Sequence, residues 1–167
     1  VIGERHSVVA AGTHGKTTTT ALAAWTLEQG GLQPGYMIGG VPLNFENTFA
    51  MGSGEYFVIE GDEYDTAFWD KVPKFNHYLP NDTILTSIEY DHADIYPDMA
   101  SVVKAFSGLL SRARAGGRLI ACVDYEAVSS LLKEAKVPVI TYGSATSPAR
   151  YKPGKIETRG EYTNFEV

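Results

Sequence analysis

The chain has 167 residues, 44% of them hydrophobic and 20% charged, which is the make-up of one soluble globular domain and not of a disordered or fibrous chain. No apolar run approaches the roughly 18 residues of a membrane span, and the start carries no signal-peptide pattern, so a cytoplasmic protein without a membrane partner is expected. A formal net charge of −6 argues against a nucleic-acid partner, because phosphate backbones need clustered Lys and Arg, yet one nucleotide can still be held by local amides and a lysine.

Residues 7–11 form an apolar strand, followed by Gly12-Thr13-His14-Gly15-Lys16-Thr17-Thr18 and a helix over 17–29 that ends at Gly30-Gly31. Strand, glycine turn and helix start together make a phosphate loop. The glycines let backbone fold around phosphate oxygens, amides at the helix start point at the anion, and Lys16 adds a full charge. The Thr17 hydroxyl is a ligand for a magnesium ion bridging the phosphates. The match is imperfect, since Ala10 stands where the usual pattern has its first glycine.

Strands are predicted next over 36–38 and 55–60, the second running into Glu60-Gly61-Asp62-Glu63-Tyr64-Asp65. In open α/β sheets ligands sit beyond the carboxyl ends of the strands, which positions Glu60 to meet the magnesium. Asp62, Glu63 and Asp65 suit a solvated acidic loop as well as a functional one. A strand over 83–88 repeats the arrangement and delivers Glu89-Tyr90-Asp91-His92-Ala93-Asp94 to the same edge. An imidazole can ligate a divalent ion, although oxygen is the ordinary choice for magnesium, so chemistry alone leaves His92 open. His6 and His77 have no such setting and read as surface or packing residues.

A helix is predicted over 98–114, where Met99, Val102, Val103, Phe106, Leu109 and Leu110 form one apolar face that reads as core. A strand over 118–123, a helix over 125–135 and a strand over 137–142 continue the alternation. The single cysteine, Cys122, lies in an apolar strand, can form no intramolecular disulfide and receives no role. Residues 143–154 are rich in Ser, Pro and Gly, and 155–167 alternate like antiparallel strands. The fold class that follows is α/β, a mostly parallel sheet with flanking helices and a small antiparallel extension at the C-terminal end. The chain stops inside that alternating stretch, so a piece of a longer protein is expected.

The phosphate loop, the Glu60 cluster and Glu89-Tyr90-Asp91-His92-Ala93-Asp94 resemble, in motif and order, the central domain of the Mur ligase family. The resemblance implies a fold like that of the phosphate-loop NTPases, with ATP and Mg2+ as cofactors. It implies Lys16 on phosphate and Thr17, Glu60 and His92 around magnesium, with Lys16, Glu60 and His92 as the catalytic set. Gly39-Gly40-Val41-Pro42-Leu43-Asn44-Phe45, Glu63-Tyr64-Asp65-Thr66-Ala67-Phe68 and Asp70-Lys71 look like the branch that couples UDP-N-acetylmuramate to the murein tripeptide L-alanyl-γ-D-glutamyl-meso-diaminopimelate in peptidoglycan recycling. The alanine-adding branch is the alternative. That resemblance implies three domains, with the UDP-binding and C-terminal domains outside these 167 residues. Many Mur ligases also use a downstream lysine that becomes carbamylated, whereas Ala105-Phe106-Ser107 offers none and Lys104 lies too early, so ligands for a second magnesium are left unassigned. Two rivals stay open: a folate-glutamylating ligase of the same fold, and a nucleotide switch that makes no bond.

Overall fold

The computed structural model describes residues 2–91 and 93–166. In chain order it forms β1 (His6–Ala11), α1 (Lys16–Gln29), β2 (Gly35–Met37), β3 (Phe49–Ala50), β4 (Tyr56–Gly61), β5 (Asp65–Ala67) and β6 (Asp70–Pro73). These are followed by β7 (Asp82–Leu85), α2 (Met99–Leu110), β8 (Arg118–Cys122), α3 (Glu126–Leu131), β9 (Val139–Tyr142), β10 (Ile156–Arg159) and β11 (Tyr162–Phe165). Seven strands make one sheet in the order β3-β2-β4-β1-β7-β8-β9, and every neighbouring pair is parallel except β2 with β3.

β1 is central because its run of small and branched apolar residues suits a strand covered on both faces. Side chains alternate across it. Val8 joins Val58, Tyr36 and Ile38 beneath Ala24 of α1, while Val9 turns the other way with Phe57 and Ile59. On that second face Leu85, Leu119 and Ala121 meet Phe106 and Leu109 of α2 and Val128 and Leu131 of α3. The result is a three-layer α/β domain with α1 on one side and α2 and α3 on the other. The mostly parallel sheet expected from the alternation is present, and the expected antiparallel extension is the β10–β11 hairpin.

The helix ends follow local chemistry. α1 stops at Gly30-Gly31 in a Schellman arrangement: Gly31 takes φ +73°, the Leu32 amide donates to Leu27 O and the Gly31 amide to Glu28 O. Asp98 caps α2 by accepting from the Ser101 amide at 2.8 Å. The predicted apolar face of α2 is the buried one, with Val102, Phe106, Leu109 and Leu110 innermost. α2 ends four residues before the expected 114, because the Arg112 and Ala113 amides tighten onto Leu109 and Leu110 and the Arg114 amide leaves for Pro80 O.

The strand expected over 83–88 ends at Leu85, and Thr86 and Ser87 beyond it hydrogen bond the glycine loop. β3, β5 and β6 were not anticipated. The β5–β6 hairpin turns at Phe68-Trp69, each 87% exposed, with none of the Gly, Pro, Asn or Asp residues that mark such turns.

Phe106 is fully buried with its ring 5.3 Å from that of Phe75. Phe106→Ala should lower stability by about 3–5 kcal/mol, read by urea unfolding; a loss under about 1 kcal/mol would mean the α2 face is not the core.

Candidate active site

β4, β1 and β7 lie side by side and end level, with Ala11 paired to both Gly61 and Leu85. Parallel pairing therefore brings three chain segments to one edge: the glycine loop after β1, the carboxylates after β4, and residues 86–91 after β7. The loop is braced from the β7 side. The Thr13 amide donates to Ser87 O at 3.0 Å, the His14 amide to Ser87 Oγ at 3.0 Å, and Thr86 Oγ1 to His14 O at 2.6 Å. Thr13 Oγ1, buried, lies 3.1 Å from Ser87 Oγ and accepts from the Glu89 amide at 3.2 Å. Gly12 has φ +141°, and a Cβ there would sit 2.1 Å from Thr86 Oγ1 and 2.8 Å from the Ser87 amide nitrogen. Gly15, at φ +80°, stands at the N-cap of α1, and a Cβ there would meet nothing within 4 Å.

Lys16 does not reach into solvent. Its ammonium donates to Gly12 O at 2.7 Å and ion-pairs with Glu63, 2.9 Å from Oε1 and 2.8 Å from Oε2; Thr13 O stands at 3.4 Å. Glu63, 1% exposed, is the one charged side chain in the buried set among the described residues. Tyr96, also buried, donates its hydroxyl to Glu63 O at 2.6 Å, and burial, with Glu63 next in effect, pushes the phenol up to about 12.

Thr17 Oγ1 donates to Glu60 Oε2 at 3.2 Å, and the Gly39 amide donates to Oε1 at 2.6 Å. A Cβ at Gly39 would meet Glu60 Oε2 at 2.8 Å, so a larger residue there would push the carboxylate aside. The Thr17 hydroxyl and the Glu60 carboxylate fit a hard cation: both offer oxygen, the ligand type magnesium takes, at the mouth of the loop. Among the described residues no group of three or more His, Cys, Asp or Glu converges as a metal cage. Thr18 is exposed beside Thr17 on an apolar groove of about 470 Å3 that also includes Trp25, Ile38 and Phe45.

Gly12, Thr13, His14, Gly15, Lys16, Thr17 and Thr18 thus form one continuous loop and helix start, and Glu60 joins it. His92 lies outside the described residues. His14 Nε2 stands 3.5 Å from Glu89 Oε2, while His6 pairs with Asp82 at 2.9 Å and His77 with Asp70 at 2.7 Å, both away from the loop. Cys122 is buried, which raises its thiol above the usual range.

The sequence from residue 10 to 167 matches the model of the Mur ligase middle domain. The chain belongs to the Mur ligase family. Among curated Mur ligases it is 50% identical over 120 residues to the UDP-N-acetylmuramate–L-alanyl-γ-D-glutamyl-meso-2,6-diaminoheptandioate ligase of Escherichia coli, covering 72% of this chain and 26% of that one. It is 36% identical over 163 residues to the UDP-N-acetylmuramate–L-alanine ligase of an Anaeromyxobacter, covering 98% and 34%. The chain spans about a third of the length of these relatives or less. A solved UDP-N-acetylmuramate:L-alanyl-γ-D-glutamyl-meso-diaminopimelate ligase from Neisseria meningitides superposes with a TM-score of 0.86 at 35% identity, covering 94% of this chain and 51% of that one.

Within this Mur ligase domain Glu63 is the residue that reading the sequence passed over. Asp62 and Asp65 do lie in a polar hairpin, paired with Lys74 and Lys71, but Glu63 between them turns inward. No local signal marked it, because its partner Lys16 stands 47 positions away in sequence.

Gly12→Ala should cost about 1–3 kcal/mol in chemical denaturation, from left-handed strain and the clash with backbone at Ser87; wild-type stability would show that the loop can relax. For Tyr96 the raised value means that the unfolded chain loses its phenolic proton first. Its contribution to stability is therefore present below the ordinary value of 10 and fades as pH rises towards about 12. Tyr96→Phe should flatten that part of a stability–pH curve, and an unchanged slope would contradict the assignment.

Proposed function

We propose that this domain is the ATP-binding middle part of a longer, three-domain cytoplasmic ligase that couples UDP-N-acetylmuramate to the murein tripeptide L-alanyl-γ-D-glutamyl-meso-diaminopimelate in peptidoglycan recycling. The observation that carries the reading is the contact between Thr17 and Glu60 at the mouth of a glycine loop that holds Lys16. A hydroxyl and a carboxylate from two adjacent strand ends, beside a helix start, suit a magnesium-bound triphosphate. In this reading the amides of residues 12–18 cradle the phosphates, Lys16 neutralises developing charge, and Thr17 and Glu60 hold the ion. His92 as a further ligand rests on the family resemblance alone. Magnesium supplies charge neutralisation across the phosphate oxygens.

The muramyl carboxylate attacks the γ-phosphorus, the bond to the bridging oxygen breaks, and ADP leaves. The tripeptide amine then attacks the acyl carbon, loses a proton and expels phosphate through a tetrahedral intermediate. Phosphate turns a poor leaving group into a good one, and the loop contributes positioning and electrostatics, which dominate phosphoryl transfer. The tripeptide is favoured over alanine as amine donor by the higher identity to the relative named for that coupling, 50% against 36%.

The test is made in the full-length enzyme, with ligated product followed by mass spectrometry. Lys16→Ala should lower turnover on the order of a thousandfold, and Glu60→Gln should raise the magnesium concentration needed for half-maximal rate. Turnover within about tenfold of wild type for Lys16→Ala, equivalent to roughly 1.4 kcal/mol, would contradict the assignment. Product formed with a folate acceptor in place of UDP-N-acetylmuramate would redirect the substrate assignment to the folate ligases.

A further inference from the structure

We infer that Glu63 is a positioning residue for phosphoryl transfer, one that holds the Lys16 ammonium in a fixed orientation and gives up some nucleotide affinity to do so. The inference rests on the nucleotide-binding reading above and adds a role for a residue outside that set. Three observations support it. Glu63 is the one charged side chain in the buried set among the described residues. Its carboxylate meets Lys16 with both oxygens, at 2.9 and 2.8 Å. Its main chain is anchored separately by the Tyr96 hydroxyl at 2.6 Å, so the carboxylate sits on a fixed support.

An ammonium has three N–H donors. One is taken by Gly12 O at 2.7 Å and one by Glu63, leaving Thr13 O at 3.4 Å as the weakest contact. That third direction is the one a phosphate oxygen can claim without breaking the other two. Lys16 does not leave Glu63 freely, because breaking a buried ion pair is strongly disfavoured. The lysine is therefore shared between Glu63 and the nucleotide. Sharing lowers the net positive charge that a bound triphosphate feels, and it also fixes where the remaining N–H points. An interaction aimed at the charge that develops during transfer raises the rate, whereas uniform attraction to the ground state does not.

Charge and geometry separate in two substitutions. Glu63→Gln keeps the shape and removes the charge, so a non-hydrolysable ATP analogue with magnesium should bind about three- to tenfold tighter by calorimetry, while kcat for ligation should fall about tenfold or more. Glu63→Asp keeps the charge and withdraws it by one methylene, so affinity should stay within about twofold while kcat falls similarly. A residue that only supports the fold would give weaker binding and lower stability in both variants.

Both measurements are made on the full-length enzyme, with circular dichroism as a fold check. Unchanged or weaker binding in Glu63→Gln, or an undiminished kcat in either variant, overturns the inference. Should Glu63→Gln not fold, Glu63→Asp decides by itself: a lower kcat at retained affinity supports the role, and any other result overturns it. Failure of the wild type to bind the analogue at all would overturn the nucleotide-binding reading and this inference with it; wild-type binding without the split in the variants overturns this inference only.

Discussion

β1 has to satisfy its backbone on two edges at once, because neither of its faces and neither of its edges meets water. It does so by pairing in parallel with β4 and β7, in registers that bring all three strands to an end at the same level. Parallel neighbours must run the same way, so their exits share one edge of the sheet. The glycine loop, the carboxylates after β4 and the hydroxyls after β7 are gathered by that requirement before any of them interacts. Small residues at the crossing make the gathering possible: a Cβ on Gly61 would come within 2.9 Å of both Ala11 Cβ and Val9 Cγ1.

Once the segments are together, electrostatics sorts the carboxylates into different roles. Glu60 stays at the mouth, its two oxygens held by the Gly39 amide and the Thr17 hydroxyl. Glu63 goes inside, where its ion pair with the Lys16 ammonium offsets the cost of burial. Asp62 and Asp65 remain in the polar hairpin and meet Lys74 and Lys71. Four acidic residues within six positions thus occupy distinct environments. The difference comes from which way the backbone faces after β4, not from the residue types.

That explains what the sequence could and could not disclose. The loop over 12–18 was legible because its chemistry is local: glycines where the backbone takes positive φ, then a lysine and a threonine on the first turn of a helix. The α2 face and the end of α1 were legible for the same reason, as periodicity and a glycine pair are contained in one stretch of chain. The inward turn of Glu63 was not, because it depends on Lys16, 47 positions away, and on Tyr96 beneath it. Thr86 and Ser87 read as strand residues by propensity; their backbones still bond to Ala11 and Thr13, and their hydroxyls serve the loop at His14 and Thr13. The β5–β6 hairpin gave no turn signal at Phe68-Trp69, so its existence depended on pairing that no local rule reports.

The bracing of the glycine loop by the segment after β7 also fixes when the loop can exist during folding. The contacts that join residues 11–14 to residues 86–89 span 72 to 76 positions in sequence. Closing so long a stretch of chain carries an entropy cost that nothing within the loop can offset, and strand pairings of this separation form slowly. The loop therefore takes its braced shape only when β7 has docked on β1. Any ligand that prefers the shaped loop then draws on the folding equilibrium of the whole domain, and the local motif behaves thermodynamically as a property of all three layers.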